Sequence, residues 1–297
     1  MDSSYRTLLQ GAYEHFLNHL DKQSGEAPLP YDFAFLKDRK WYLLGEDLVS
    51  SDLNELTNLL NRWQFALGRW DSWNAVLAAY DEDNAWLLHH EFLHALAHEC
   101  LLRPSAMRDT LTSVATKAFH QAKRSLDPTY RDHLPDDPIS PSDRPKHLKR
   151  QQKESHLHTL SKTWAGGEGL LQAIRTLDNQ SYKDATADYR NRVNHTIGPR
   201  LGFGETCLVT RDVRQAERLE RQPDGGFLLV PVPNKMSVGY GFGGTPPLDL
   251  VAAYQANLAQ YRLARDCYAL YSSLLRRIVE TIEPLPPAEA SSKTSPD

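Results

Sequence analysis

The sequence predicts a mainly α fold, a helical bundle with a small antiparallel β appendage near residues 205–242. Three observations carry that expectation. Apolar residues recur at helical spacing through most of the 297 residues. After Pro199 this period gives way to short β-rich runs separated by Gly and Pro, before a last long helical stretch. The composition, 40% hydrophobic and 24% charged, suits a globular chain with a sizeable core.

Taken in order, residues 4–20 place Leu8, Leu9, Ala12, Phe16 and Leu20 on one helix side, and Gly25 to Pro30 end that helix. Tyr31 to Leu44 reads as a short hairpin or an irregular cap. Helical spacing returns from Asp52 to Tyr80, where Trp63, Trp70 and Trp73 read as core. Asp81 to Asn84 stop it and cap the next helix, Ala85 to Leu102. Pro104 then opens a third helix through Met107, Leu111, Val114, Ala118 and Ala122.

Residues 126–150 form a Pro-rich insert with Pro128, Pro135, Pro138, Pro141 and Pro145. Its end is the most basic patch of the chain, Arg144, Lys146, Lys149, Arg150 and Lys153, read as a solvated face or as phosphate contacts. Helix resumes through Trp164 and Leu170 to Leu177, and Asp178-Asn179 caps the next one. Cys207 to Val209, Gly226 to Val230 and Met236 to Tyr240 read as short strands in a β insert at 200–245. Gly239 to Gly244 meets Pro246-Pro247 instead of a helix, so it reads as a turn or bulge and not a phosphate loop. Leu248 to Ile282 closes the bundle. Residues 1–283 are thus expected as a single helical domain, with 284–297 a disordered tail.

The net charge of −4 announces no global basic field, which leaves a local basic cleft as the only electrostatic route to nucleic acid. Three widely spaced cysteines, Cys100, Cys207 and Cys267, imply neither a disulfide framework nor a cysteine metal site. Met1 to Arg6 lack the regions of a signal peptide, and no apolar run approaches the ~20 residues of a membrane span. The expectation is a soluble, cytoplasmic protein without membrane association.

Asp188 to His195 reads as the last two turns of a helix, stopped at Gly198-Pro199. At about 100° per residue, Tyr182, Ala185, Tyr189 and Val193 form one stripe. Arg190, Asn191, Asn194 and His195 gather on the other side, within roughly 140°. A guanidinium to hold an anion beside an imidazole that titrates near neutrality suits phosphodiester cleavage.

Arg190 to His195, with the polar Asn191 directly after the Arg, resembles the R-x4-H motif of the HEPN superfamily. The resemblance covers at most the helical part of the chain. It implies a small helical bundle, commonly a homodimer with the site at the subunit interface, and a metal-independent endoribonuclease of toxin or antiphage-defence type. It implies no cofactor. His195 is expected as general acid or base, Arg190 as the group that neutralises the transition state, and Asn191 as the group that orients the phosphate or the Arg. Asn194, Glu91 and His94 are expected in supporting roles. A non-catalytic member would instead work through an antitoxin or another regulatory partner.

A second motif stays open. His90-Glu91-Phe92-Leu93-His94 spells H-E-x-x-H inside a helix, the spacing with which zincin-type hydrolases hold zinc on two histidines, with the Glu as base. The third ligand is the difficulty. Cys100 stands where the long form of the motif needs a His, His98 lies too far along a straight helix, and His120, His133 or Glu154 would have to be delivered by the fold. The row His90, His94 and His98 reads equally as the border of the core. A third reading has Glu91 or His94 reaching across to support Arg190 and His195.

Overall fold

The structure, a computed structural model, describes residues 3–23, 25–131, 133–134, 137–144 and 147–286. Three long helices make the frame: α2 (Gly45–Leu77), α4 (His94–Leu126) and α9 (Leu250–Glu280). They pack on one another, and α1 (Ser3–Asp21) lies against α2. Trp63, Trp70 and Trp73 of α2 are buried, as the sequence leads one to expect. Trp73 is sandwiched between Phe16 of α1, at 4.7 Å between ring centroids, and Phe92, at 4.4 Å. That stack fixes α1 over the front of the bundle.

Several expectations about the elements change. Tyr31 to Leu44 is an irregular cap with a short 3-10 turn at Ala34–Leu36, and α2 starts earlier than expected, at Gly45. The two helices expected around Pro104 form one run. It starts with α3 (Glu82–Leu88), capped by the Asp81 carboxylate on the Asn84 N–H. It then passes through a π-helical turn at His89–Leu93 and continues as α4. Pro104 lies inside α4, so the carbonyl of Cys100 loses its helical donor. The buried amide of Asn257 in α9 supplies the replacement, donating from Nδ2 to Cys100 O at 2.8 Å. Sequence alone shows the break and not the repair.

Between Leu126 and α5 (Arg150–Ser161), none of the described residues is helical. Pro135, Pro145 and Lys146 lie outside the described residues. Within the basic patch, Arg150 is consumed structurally. Its guanidinium bonds Asp109 at 2.8 Å, Asp178 at 2.7 Å and Ser105 Oγ at 2.7 Å. The helices α6 (Gly167–Arg175), α7 (Gln180–Ala185) and α8 (Tyr189–His195) follow in short steps.

The β insert is a two-stranded antiparallel hairpin of β1 (Val209–Arg221) and β2 (Phe227–Phe242), turning at Asp224-Gly225. It is longer than expected because β1 is mostly Arg, Asp, Gln and Glu, whose polarity hid it. Gly239 and Gly241 lie inside β2, and so do Pro231 and Pro233, next to a shift of register between Gln215 and Glu217. At the chain end, Pro284 bridges to Arg39 and the Leu285 N–H bonds Asp38 O at 2.9 Å, so the expected tail begins tied down. Residues 287–297 of that tail lie outside the described residues. Among the described residues, no helix is long and apolar enough to cross a membrane.

Candidate functional site

The motif helix is held by what Pro104 leaves open. Tyr182 of α7 is buried, its O–H donates to Leu101 O at 3.0 Å, and it accepts from Asn257 Nδ2 at 2.9 Å. Asn257 Oδ1 in turn accepts from Trp63 Nε1 at 2.8 Å. One amide therefore joins α2, α4, α7 and α9. Asn179 caps α7 by accepting from the Tyr182 N–H at 2.9 Å.

The expected single motif helix is broken after Ala185. Ala187 and Asp188 take left-handed backbone conformations, φ +49° and +50°, and α8 starts afresh at Tyr189. Ala185 consequently lies exposed, outside the apolar stripe expected of it. Tyr189 is buried and shares a 2.8 Å hydrogen bond with His98 Nδ1 of α4. After α8 the chain folds back tightly at Gly198, where a Cβ would meet Val193 Cγ2 at 2.5 Å.

On α8 the side chains form a relay. The Asp188 carboxylate accepts from Asn191 Nδ2 at 2.9 and 3.0 Å, and Asn191 Oδ1 accepts from Arg190 Nη1 at 2.8 Å. The amide is thus oriented by the carboxylate, and the guanidinium by the amide. Arg190 and Asn191 are half-buried, whereas Asn194 and His195 are exposed. His195 is the last residue of the helix. The neighbouring Arg192 turns the other way and reaches Thr245 Oγ1 at 3.3 Å, at the root of the hairpin.

The H-E-x-x-H stretch falls on the π turn. Such a turn inserts one residue into the helix, so residues five apart come onto one face alongside those four apart. His89 and His94 have ring centroids 5.6 Å apart, His90 and His94 5.7 Å, and His89 and His90 5.6 Å. Trp86, Tyr189, Pro199, Arg200, Leu201 and Phe203 complete a cleft of about 200 Å³ around these rings. The long-helix side of the cleft is histidine, and the other side is the loop leaving α8.

His89 is 1% exposed, and neither ring nitrogen has a hydrogen-bond partner. Burial, then the neighbouring His94 and His90, pushes its pKa down to about 4. His94 is lowered as well, by partial burial first and then by His90 and His98. Both rings are therefore neutral at pH 7, and each offers one donor and one acceptor. His89 is the site residue that the sequence reading passed over. Its signal was present, a third His beside the pair, but helical geometry without the π turn points it elsewhere.

The structure brings some of the expected residues together and not others. α8 and the histidine turn are neighbours, joined through Tyr189 and His98, and His94 shares its cleft with Tyr189. Glu91 is exposed and its partner is Tyr5 of α1, whose O–H donates to it at 3.4 Å; the expected support of Arg190 or His195 by Glu91 is not formed. The cleft is not lined by Arg190 or His195. Among the described residues, no group of three or more His, Cys, Asp or Glu is placed to hold a metal ion. The candidates for a third zinc ligand are engaged elsewhere. His120 bonds Tyr130 Oη at 2.6 Å, Glu154 lies between Arg108 and Arg175, and His133 stands 3.8 Å from Asp137. Cys100, in the position where the long motif has its His, is buried, with its thiol pushed up to about 12.

No family model, no curated protein and no solved structure matches this chain.

Proposed function

We propose that the chain is a HEPN-like, metal-independent endoribonuclease acting in the cytoplasm as a homodimer, in the manner of toxin or antiphage-defence nucleases. The observation that supports it most is the relay Asp188, Asn191, Arg190. It holds a guanidinium in fixed orientation on the short helix that ends in an exposed histidine. Pre-oriented cationic donors stabilise charge that develops at phosphorus without reorganising during the reaction.

In the reaction proposed, an RNA 2′-oxygen attacks the adjacent phosphorus as its proton leaves to a base. The O2′–P bond forms, the P–O5′ bond breaks, and the departing 5′-oxygen takes up a proton. The products are a 2′,3′-cyclic phosphate end and a 5′-hydroxyl end. His195 carries one of the two proton transfers. Arg190 neutralises the phosphorane-like transition state, and Asn191 acts as its positioning residue. A second subunit would bring a second Arg190 and His195 to the same RNA, and an antitoxin or other regulatory partner would act by covering α8.

Incubation of purified protein with total RNA, with and without EDTA, tests the reading. Cleavage is expected to resist EDTA and to fall by at least about 100-fold in His195→Ala and in Arg190→Ala. Both positions lie outside the core, so the circular dichroism of both variants should match wild type. EDTA-sensitive cleavage, or cleavage that survives either substitution, would overturn it.

A further inference from the structure

Of the residues in the two strands of the hairpin, only Ala216 is buried, and neither strand packs broadly against a helix. The arm is nonetheless strongly two-faced. In its proximal half the register pairs Val209 with Phe242, Val213 with Val238, and Gln215 with Met236. These side chains share one face with Tyr240 and its partner Arg211, because residues directly opposite in a ladder point the same way. The other face carries Thr210, Asp212, Arg214, Ser237, Gly239 and Gly241. In the distal half, Leu219 pairs with Leu229 and Arg221 with Phe227 on one face, while Leu228 and Val230 lie on the other, opposite Glu220 and Arg218.

The apolar face is open. Val238, the least exposed of these apolar residues, is 48% exposed, and Phe242 is 98% exposed. With Val209, Val213, Met236, Tyr240, Leu219, Leu229 and Phe227 they leave on the order of 1,000 Å² of mostly apolar surface in water. The largest such patch on a typical monomer is ~300–600 Å². A lone two-stranded hairpin is also at best marginally stable in water, and needs a covered face to persist.

We propose that this arm is a homodimerisation element, in which the apolar face of one hairpin packs on the same face of the hairpin of a second copy. The open area matches what each partner gives to a stable dimer, roughly 800 Å². Aromatic and Met side chains with an Arg among them, here Arg211, are what interface cores favour. The arm has no field of one sign to attract a polyanion. Arg211, Arg214 and Arg218 are interspersed with Asp212, Glu217 and Glu220 along β1, a pattern that can match itself about a two-fold axis. Growth of the sheet through its edge is disfavoured. Pro231 and Pro233 lack N–H donors, and the register shift after Gln215 bends the ladder. The contact is therefore between faces, two hairpins stacked about 10 Å apart. This gives a surface to the homodimer of the ribonuclease reading, yet it is carried by the arm alone, and mass is measured separately from RNA cleavage.

The test is the mass of the full chain by sedimentation equilibrium at tens of micromolar. The expected mass is twice the 33.7 kDa of one chain. Val213→Asp/Val238→Asp, a charged pair at the centre of the apolar face, should return it to a single chain. Helical circular dichroism should be unchanged, because the arm lies off the bundle. Asp212→Lys/Arg214→Glu alters the opposite face and controls for damage to the hairpin; it should remain dimeric. A monomeric wild type, a dimer that survives the apolar-face substitutions, or a dimer lost equally in the control would each overturn the proposal.

Discussion

Two histidine-bearing helical stretches of the molecule lie side by side and are opposite in character. The π turn in the long helix holds His89 buried and His94 with a lowered pKa, in a frame of three helices more than thirty residues long. Helix α8 is seven residues long, ends in an exposed His195, and depends on side chains from elsewhere for its position. The same imidazole is thus a neutral, rigid element in one place and a group open to solvent and protons in the other. Environment, not residue type, separates their roles, and this is why α8 and not the more recognisable H-E-x-x-H stretch carries the proposed proton transfer.

The largest effect is expected where the two regions are coupled. Asn257 repairs the Pro104 break on the long-helix side and orients Tyr182 on the α7 side. Asn257→Ala leaves Cys100 O and Trp63 Nε1 unpartnered in the core. The cost is expected at about 3–4 kcal/mol, since each buried orphan costs about 1–3 kcal/mol. Urea denaturation measures it. A loss under 1 kcal/mol would mean that the two regions are held independently.

The next effect separates the histidines by pH. His89 has a folded pKa of about 4, below the 6.5 of an unperturbed ring. Between those values the unfolded chain takes up a proton that the folded chain refuses, so stability falls as pH drops from 6.5 towards 4 and then levels. The full span amounts to about 3 kcal/mol at most. His89→Leu should flatten that part of the stability profile, and at pH 7 should cost little or even stabilise, because two unpartnered ring nitrogens leave the core. Thermal melts from pH 4 to 7 measure that slope, and an unaltered slope in His89→Leu would break the contrast.

What the sequence revealed of these two regions follows the range of the interactions. Helical spacing in residues such as Trp63, Met107 and Tyr261 reports local burial, and the long helices emerge where that spacing lasts. The Asp224-Gly225 turn was equally local. Pro104 misled because a helix can run through a proline when a distant amide satisfies the freed carbonyl, and Asn257 is 157 residues from Cys100. The π turn was hidden for a similar reason: the packing of Phe92 on Trp73 and of His89 under Phe203 involves distant residues. The strand Val209–Arg221 escaped because neither of its faces packs broadly against the bundle, so its composition lacks the usual core signature. At the candidate site, Arg190 and Asn191 were legible as a pair, while Asp188 as their anchor required the left-handed turn before α8.

The smallest effect tests the seam between the two stretches directly. Tyr189→Phe removes one hydroxyl, keeps the buried ring, and leaves His98 Nδ1 without its partner across α4 and α8. A hydrogen bond of this kind is worth about 1 kcal/mol, so the equilibrium stability should drop by that amount and no more. Local opening of α8 should rise further than global unfolding, because this bond is one of few that hold so short a helix. Hydrogen exchange reads the difference: faster exchange of amides in residues 189–195, with those of α4 around Ala97 to Leu101 unchanged. Equal acceleration on both sides would show that the histidine turn and α8 move as one unit, and the two histidine environments would then have to be treated as a single site.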